Sequence, residues 1–345
     1  MELDYFHQLK KLKYPLYCFH MQSYNWSNKN TICVLSRQKG SGKTRVAFEF
    51  MKQHPNSLYF SFAGLNKEMA LRFFCRKVQE QMNMDIDCQD WNDVFEALTP
   101  YLKRYKPILI FDDVDTFPDN DAFLSALSEF LRNPDNPWIF ALLLMRDPGC
   151  LHQRGLSVYQ INIKYRTIAD IKKAFPKLSN RDILRLYAIT GGIPALLSAY
   201  NEEKTFKENL NTWLSYDSVF YRFLPELLRE SFRTPETYHA ILYSISRGHH
   251  RISEIGNDLG FPYNKCDKYI AALRKLGLVE ARQEDSKRST YHITNSYTNF
   301  WYCNLYGNIA RITPSPSQEF TDAILERLDV DYTFPCYHAA CLNTR

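Results

Sequence analysis

The segment from Thr31 to Phe50 reads TICVLSRQKGSGKTRVAFEF, and it decides the fold of the first part of the chain. Its opening run, TICVLS, is apolar and rich in β-branched residues, which is typical of a buried strand. A glycine-rich loop follows, and the apolar residues after it have helical spacing. The order predicts a strand, a phosphate-binding loop and a helix, with Arg37 standing where the loop consensus has glycine.

The loop residues predict a nucleotide site. In such loops, successive backbone N–H groups and a helix N-terminus point at the phosphates, a lysine reaches the β/γ oxygens, and a hydroxyl holds magnesium. Arg37 either crowds the loop or reaches the phosphate itself. With ATP and Mg²⁺ as the expected cofactors, the predicted nucleotide-binding residues are Arg37, Gly40, Ser41, Gly42, Lys43 and Thr44, and Thr44 is also a predicted magnesium ligand.

A second motif, ILIFDD, follows from residue 108 to residue 113. Apolar residues ending in two acids are the Walker B pattern, in which Asp112 is expected to hold magnesium, usually through water. Asp113 is expected to orient or deprotonate the attacking water. The letters FDD alone also occur at solvated strand ends, but the two motifs in this order favour a nucleotide site.

Two departures from the usual ATPase pattern predict slow hydrolysis. Asp113 is one methylene shorter than the glutamate of a strong catalytic base, so the water can lie out of reach. After the fourth predicted strand, where such ATPases often place a polar residue against the γ-phosphate, the chain has Arg146. Arg146 is either that sensor or a solvated loop residue. We therefore expect ATP binding together with weak turnover.

The pattern along the chain predicts an α/β P-loop NTPase fold, with a parallel sheet, helices on both faces, an all-helical lid and a C-terminal winged helix. After about residue 165 the strands stop, and two helices are expected to meet at Gly191-Gly192, with Pro194 opening the second. The further predicted strands are 57–64, 107–115, 138–145 and 157–163. The predicted domains are a P-loop ATPase core at 1–165, a lid at 166–233, a winged helix at 234–300 and a tail at 301–345.

The segment 234–300 has the winged-helix order of three helices and a hairpin. Its third helix is expected to enter the DNA major groove with the face opposite its apolar stripe. Nine Lys/Arg stand against seven Asp/Glu between residues 235 and 298, a weak footprint for DNA binding. Protein contact or a scaffold role is the rival interpretation. The predicted DNA-binding residues are Lys265, Lys268 and Lys275 on the helix, with Lys287 and Arg288 at the wing.

Composition bounds the remaining possibilities. The chain has 345 residues, 45% of them hydrophobic, which is enough for two or three cores. Its formal net charge of +5 permits a nucleic-acid partner without requiring one. Nine cysteines without a C-x-x-C pair predict reduced thiols in a cytoplasmic protein. No window has the about 18 uncharged apolar residues of a membrane span, so we expect no membrane partner and no signal peptide.

Several stretches together resemble the prokaryotic archaeal-type AAA ATPases of the STAND-related group. They are NSLYFSFAG, GKT with ILIFDD, YAITGGIPALL, RTPETYHAILYSISRG and YHITNSYTNFWY, which span roughly residues 30 to 310. The resemblance implies ATP binding, an AAA-like lid, a winged helix, a nuclease-like C-terminal domain and a role in DNA-linked or defence-type regulation. No lysine follows Lys287, so residues 301–345 cannot supply a nuclease core of the acid-x-Lys type. We expect a truncated chain or a remnant of that domain.

Three functions stay open on the sequence alone. In the first, ATP orders the lid against the P-loop domain and repositions the winged helix on double-stranded DNA. In the second, the chain is an ATP hydrolase that turns over steadily as a motor. In the third, it is an inactive scaffold whose winged helix docks a partner protein, or it assembles with further copies of itself. Arg37 and Asp113 favour the first and third over the second.

Overall fold

The computed structural model describes residues 30–36, 40–285, 288–313 and 315–342 of the chain. They fall into two compact units, one within Tyr14–Lys164 and the other within Tyr165–Arg345.

In the first unit, strands alternate with helices over the whole described length. The elements are β1 Thr31–Ser36, α1 Lys43–Met51, β2 Ser57–Ser61, α2 Lys67–Met82, α3 Trp91–Tyr105, β3 Ile108–Asp112, a 3-10 turn Val114–Thr116, α4 Asn120–Arg132, β4 Phe140–Met145, α5 Gly149–Gln153 and β5 Val158–Asn162. Each predicted strand is present, and four are shorter than predicted: β2 ends at Ser61, β3 ends at Asp112, β4 begins at Phe140, and β5 is one residue shorter at each end.

The five strands form a parallel sheet with the order β2-β3-β4-β1-β5. The chain crosses from β1 to β2 in one direction along the sheet and returns through β3 and β4 in the other. Since such crossovers are right-handed, α1 must lie on the face opposite α2, α3 and α4. This confirms the predicted parallel sheet with helices on both faces.

The residues of β1 are buried because helices cover both faces of the sheet. All six residues of this strand are buried. Ile32 and Val34 belong to the core that also includes side chains of α2, α3 and α4. Cys33 and Leu35 are equally buried but point to the other face, as successive strand residues do. The strand before the phosphate loop is therefore fixed from both sides, and the loop starts from a rigid base.

In the described part of the second unit, helices predominate. The elements are α6 Ile168–Ala174, α7 Asn180–Thr190, α8 Pro194–Leu197, α9 Phe206–Leu214, α10 Val219–Ser231, α11 Pro235–Ser246, α12 Ile252–Leu259, α13 Tyr263–Lys275, β6 Val279–Asp285, β7 Arg288–Ile293, α14 Ser296–Asn304, α15 Ile309–Ile312, α16 Gln318–Leu328, a π-helix Asp329–Thr333 and α17 Phe334–Leu342.

The Gly191-Gly192 turn ends α7 as predicted. Gly191 is its left-handed cap, with φ of 59°, and Gly192 follows with φ of 69°. A Cβ atom on Gly192 would overlap the carbonyl oxygen of Arg166, whose N–H donates to the Gly192 carbonyl at 2.8 Å. Asn295 caps α14 through Oδ1 and donates from Nδ2 to the Gly191 carbonyl at 3.2 Å. Glycine is required at both positions because Asn295 and the Arg166 carbonyl lie too close to leave room for a side chain.

Three helices and an antiparallel hairpin follow, in the predicted order. Cys266, Ile270 and Leu273 form the buried stripe of α13, as expected. The hairpin arms are longer than predicted, because β6 runs to Asp285 and β7 starts at Arg288. The sequence pattern predicts arms at 278–282 and 290–293 with a polar tip at 283–289. That extent was wrong, because the ladder continues into the tip and pairs Gln283 with Ser289 and Asp285 with Arg288. The tip residues are polar and show no apolar alternation that would mark a strand.

The C-terminal helices pack on the earlier helices of the same unit. Tyr297 Oη donates to the Phe220 carbonyl at 2.6 Å, and Trp301 Nε1 donates to the Tyr221 carbonyl at 2.9 Å. Thr321 Oγ1 donates to Asn211 Oδ1 at 2.7 Å. The domain boundaries drawn at 233/234 and 300/301 stay predictions, and hydrogen bonds cross both of them.

Among the described residues, no helix has the length and apolar character that crossing a membrane requires.

Candidate nucleotide site at the end of the parallel sheet

The glycine-rich loop leads into the N-terminus of α1. Gly40 and Gly42 have φ of 80° and 90°, a left-handed backbone that glycine adopts without strain. Gly42 is the N-cap of α1 and no side chain caps the helix there. Ser41 is fully buried, and its Oγ has no hydrogen-bond partner among the described residues. Arg37, the unusual first residue of the loop, lies outside the described residues.

Asp112 joins the loop to the end of β3. Thr44 Oγ1 donates to Asp112 Oδ2 at 2.7 Å, so the two predicted magnesium ligands are in contact. Tyr59 Oη, from the neighbouring β2, donates to the same oxygen at 2.9 Å. Asp112 is 2% exposed, and burial raises the pKa of its carboxyl while the hydrogen bond from Thr44 opposes that rise. The bonds from Thr44 and Tyr59 fix the carboxylate toward α1.

Asp113, the predicted general base, has an unusual backbone. Its φ of 58° and ψ of 32° are left-handed, a conformation that Asp tolerates better than most residues. Its carbonyl accepts from Thr116 N at 3.1 Å and from Thr116 Oγ1 at 2.9 Å, which closes a tight turn. Ser61 Oγ lies 3.5 Å from Asp113 Oδ2, at the limit of a hydrogen bond. The side chain is only half buried and is held loosely.

Three acidic side chains act electrostatically on Lys43. Burial lowers the pKa of its ammonium, while the charges of Asp115, Asp112 and Asp113 oppose that fall, in this order of size. The Arg146 charge lowers the pKa further. A partly desolvated cation at a helix N-terminus is a strong binding point for a phosphate oxyanion.

The end of β4 lies beside the same acids. Arg146 N donates to Asp115 Oδ2 at 2.7 Å, and Asp147 N approaches the same oxygen at 3.4 Å. Arg146, the predicted sensor, is half buried, and its charge acts on both Lys43 and Asp115. The structure therefore brings together Lys43, Thr44, Asp112, Asp113 and Arg146, which come from three separate parts of the sequence.

These residues fit a magnesium-bound nucleotide. Thr44 Oγ1 and the Asp112 carboxylate are hard oxygen donors in contact with each other, as a magnesium site that also uses phosphate and water requires. The start of α1, where no side chain caps the helix, offers backbone N–H donors suited to an anion, and so does Ser41 Oγ, which is buried with no partner in the described part of the chain. Lys43 adds the positive charge.

Three site residues escaped the sequence analysis. Tyr59 and Ser61 lie on β2 and reach the acids only because β2 pairs with β3, matching Ser61 to Asp112 in the register. Asp115 follows the two predicted acids, and its role depends on the turn that aims it at β4. The predicted parallel pairing of strands was the only sequence signal that could have placed Tyr59 and Ser61 near the acids.

The lysines predicted to contact DNA lie in the second unit. Lys265, Lys268 and Lys275 are all exposed on α13, and Lys265 Nζ lies 3.9 Å from the centroid of the Phe261 ring. Lys287 lies outside the described residues, and of Arg288 the structure describes only the backbone, at the start of β7.

The parallel sheet and the loop at its edge agree with a nucleotide-binding domain of the AAA type in the first unit. Residues 27–153 match the family model described as an AAA domain, which covers the parallel sheet through β4 and includes the phosphate loop, Asp112 and Arg146. The match does not include the helices and hairpin of the second unit.

Among curated proteins, an uncharacterized protein of Methanocaldococcus jannaschii is 23% identical over 302 residues, which are 83% of this chain and 66% of that relative. Two solved structures are also similar. The STAND protein with a tetratricopeptide repeat sensor from Pyrococcus horikoshii is 18% identical, with a TM-score of 0.39 over 80% of this chain and 40% of that one. The ORC2 protein of Aeropyrum pernix is 13% identical, with a TM-score of 0.49 over 83% of this chain and 88% of that one. This chain thus spans less than two thirds of the first relative of each kind.

Proposed function

We propose that this chain is an ATP-binding switch with slow hydrolysis, and that the switch acts through a winged helix on duplex DNA. One observation supports the nucleotide site above all. Thr44 and Asp112, remote in sequence, are hydrogen-bonded beside Lys43 at the N-terminus of α1. A parallel sheet places a loop and a strand end together in this way when it binds phosphate.

In the proposed mechanism, the backbone N–H groups from Gly40 to Thr44 and the Lys43 ammonium bind the β- and γ-phosphates. Thr44 and Asp112 would hold magnesium, and the bound ion would supply positive charge against the phosphates. Tyr59 keeps the Asp112 carboxylate oriented through its 2.9 Å hydrogen bond.

Slow hydrolysis follows from the residue that must position water. Asp113 has a short side chain on a left-handed turn, and its contact to Ser61, 3.5 Å long, supplies little orientation. A base that is not held within hydrogen-bond reach of the water loses most of its effect. Such a protein would stay in the ATP-bound form long enough to act as a switch.

The DNA-binding part of the proposal concerns residues 234–300, which we interpret as a winged helix. Its third helix, α13, exposes Lys265, Lys268 and Lys275 on one side while its apolar stripe is buried. Spaced lysines on an exposed helix face suit contacts to the DNA backbone. We also place the protein in the cytoplasm, since the described cysteine thiols are not paired in disulfides.

One observation favours a scaffold that docks a protein instead. Arg282 on the hairpin is paired with Glu280 at 2.7 Å, and the exposed Asp267 interrupts the lysines of α13, so part of the positive charge is cancelled. Tyr263, at the start of α13, is 62% exposed and would suit a protein interface.

The test is calorimetry of ATP binding with and without Mg²⁺, followed by turnover with and without duplex DNA. Lys43→Ala should abolish binding, since it removes the charge that faces the phosphates, and it should leave the thermal unfolding midpoint unchanged. Lys52→Ala is the matched control, because Lys52 is exposed at the far end of α1 and pairs with Glu49 at 3.0 Å. Equal ATP affinity in the two variants would rule out the nucleotide site.

A further inference from the structure

Asp115 joins two segments that the chain separates. It lies in the 3-10 turn Val114–Thr116 just after β3, and its Oδ2 accepts N–H groups at the end of β4. The bond from Arg146 N is 2.7 Å long and the contact from Asp147 N is 3.4 Å. Both reach one carboxylate oxygen, so Asp115 is tied to the backbone that carries Arg146.

The turn that carries Asp115 is itself well fixed. Thr116 bonds back to the Asp113 carbonyl through both its N–H and its hydroxyl. Val114 is fully buried in the core beneath. An acceptor on so rigid a turn defines where the end of β4 must lie, because two consecutive N–H groups there reach its one oxygen.

The charges around Asp115 agree with a role in the site. Among the acids around Lys43, Asp115 has the largest effect on the pKa of its ammonium. Burial raises the pKa of the Asp115 carboxyl, and the N–H of Arg146 and the charges of Arg146 and Lys43 oppose that rise. The Asp115 carboxylate thus interacts electrostatically with both Lys43 and Arg146.

We propose that Asp115 is a positioning residue that holds Arg146 for recognition of the γ-phosphate, and so sets the preference of the site for ATP over ADP. The inference rests on the proposed nucleotide function. It assigns Arg146 the sensor role that the sequence left open. The preference for ATP over ADP then depends on where the end of β4 holds Arg146, and not only on the presence of an arginine.

Two substitutions separate the hydrogen bond from the charge. Asp115→Asn removes the charge but keeps one oxygen, which suffices because a single oxygen accepts both N–H groups. Asp115→Ala removes the acceptor. If Asp115 acts by holding Arg146, Ala should lower the ratio of ATP to ADP affinity and Asn should not. Loss of charge alone should change both affinities by a similar factor.

The experiment is calorimetry of the full chain with Mg²⁺, using ADP and a non-hydrolysable ATP analogue, on the unmodified chain and on Asp115→Ala, Asp115→Asn and Arg146→Ala. We expect Asp115→Ala and Arg146→Ala each to lower the affinity ratio by about tenfold, the effect of one charge-assisted contact. Asp115→Asn should stay within about twofold. The double variant Asp115→Ala/Arg146→Ala should be no lower than Arg146→Ala alone.

The outcomes distinguish failure of this inference from failure of the proposed function on which it rests. If the unmodified chain binds neither nucleotide, the proposed function is wrong. If it prefers the analogue and Asp115→Ala leaves that preference intact, only the inference is wrong. Equal losses in Asp115→Asn and Asp115→Ala would also contradict it, since the charge and not the acceptor would then matter. Should Asp115→Ala fail to fold, Asp115→Glu provides the test, because it displaces the acceptor by one methylene and should lower the ratio.

Discussion

Asp113 shows how one backbone angle can restrict a catalytic residue. Glutamate would bring a carboxylate closer to an attacking water, yet the position has φ of 58°, where a longer side chain is less easily accommodated than Asp. The tight turn that closes on Thr116 also aims Asp115 at the end of β4. A short acid at 113 is therefore compatible with the turn, at the expense of reach toward the water.

Asp113→Glu should raise ATP turnover by about tenfold if reach is what limits hydrolysis, within the range that a positioned base contributes. It should also lower the free energy of unfolding by about 1 kcal/mol, because glutamate is less suited to the left-handed backbone. Single-turnover hydrolysis and urea unfolding measure the two effects. Asp113→Asn is the control, since it keeps the turn and removes the base. A flat rate in Asp113→Glu would point to Arg37 or Arg146 as the limiting residue.

At the scale of elements, the turn after α7 can be tested with a matched pair of glycines. Gly192 and Gly260 both follow helices with similar backbones, φ of 69° and 65°. A Cβ on Gly192 would overlap the Arg166 carbonyl oxygen, whereas one on Gly260 would meet nothing within 4 Å.

Gly192→Ala should therefore lower the free energy of unfolding by more than about 2 kcal/mol, and Gly260→Ala by about 1 kcal/mol, the cost of the left-handed backbone alone. Urea titrations with equal slopes measure the difference. Equal losses in the two variants would mean that the contact with Arg166 does not constrain the turn.

A second element-scale prediction concerns Asp329, which ties the π-helix to α7. Arg185 Nε donates to its Oδ1 and Arg181 Nε to its Oδ2, each at 2.8 Å. The hydrogen bonds from Arg185 lower the pKa of the Asp329 carboxyl to about 2. Because the pKa is lower in the folded chain than the usual value near 4, the stabilisation is complete above about pH 4 and is lost as the pH falls toward 2.

Asp329→Asn should lower the free energy of unfolding at pH 7 by about 1–3 kcal/mol, since it removes the carboxylate that accepts from both arginines. The variant should also lose stability less steeply than the unmodified chain between pH 4 and pH 2. Asp331→Asn, at an exposed acid in the same helix, is the control and should change neither. Parallel acid curves for Asp329→Asn and the unmodified chain would contradict the assignment.

At the scale of the whole molecule, the sequence predicts best what depends on local pattern. The strand, loop and helix from Thr31 onward are read from apolar runs and glycines, and the burial of Cys266, Ile270 and Leu273 from helical spacing. Contacts between residues far apart in the sequence could not be predicted from local pattern. Tyr59 reaches Asp112 only through strand pairing, and Arg185 meets Asp329 across 144 positions. The candidate site was thus predicted in its motif residues and missed in those that orient them.

The charge of the whole molecule is the hardest property to interpret, and it decides between DNA and protein as the partner of the second unit. The net charge of +5 is small, so a test must separate specific lysine contacts from the general attraction of a positive chain for DNA. Two sets of three exposed lysines serve this purpose. One set is Lys265, Lys268 and Lys275 on α13, and the other is Lys172, Lys173 and Lys177 in and after α6.

Replacing either set with alanine changes the net charge equally, from +5 to +5 − 3 = +2. If α13 lies along DNA phosphates, the Lys265/Lys268/Lys275 variant should bind duplex DNA more weakly for every sequence. Its plot of log affinity against log salt should be shallower by about one unit per lost contact. The Lys172/Lys173/Lys177 variant should keep the slope of the unmodified chain. Fluorescence anisotropy at several salt concentrations measures both. Equal slopes in the two variants would leave the exposed face of α13, with Tyr263 at its start, as a surface for a protein partner.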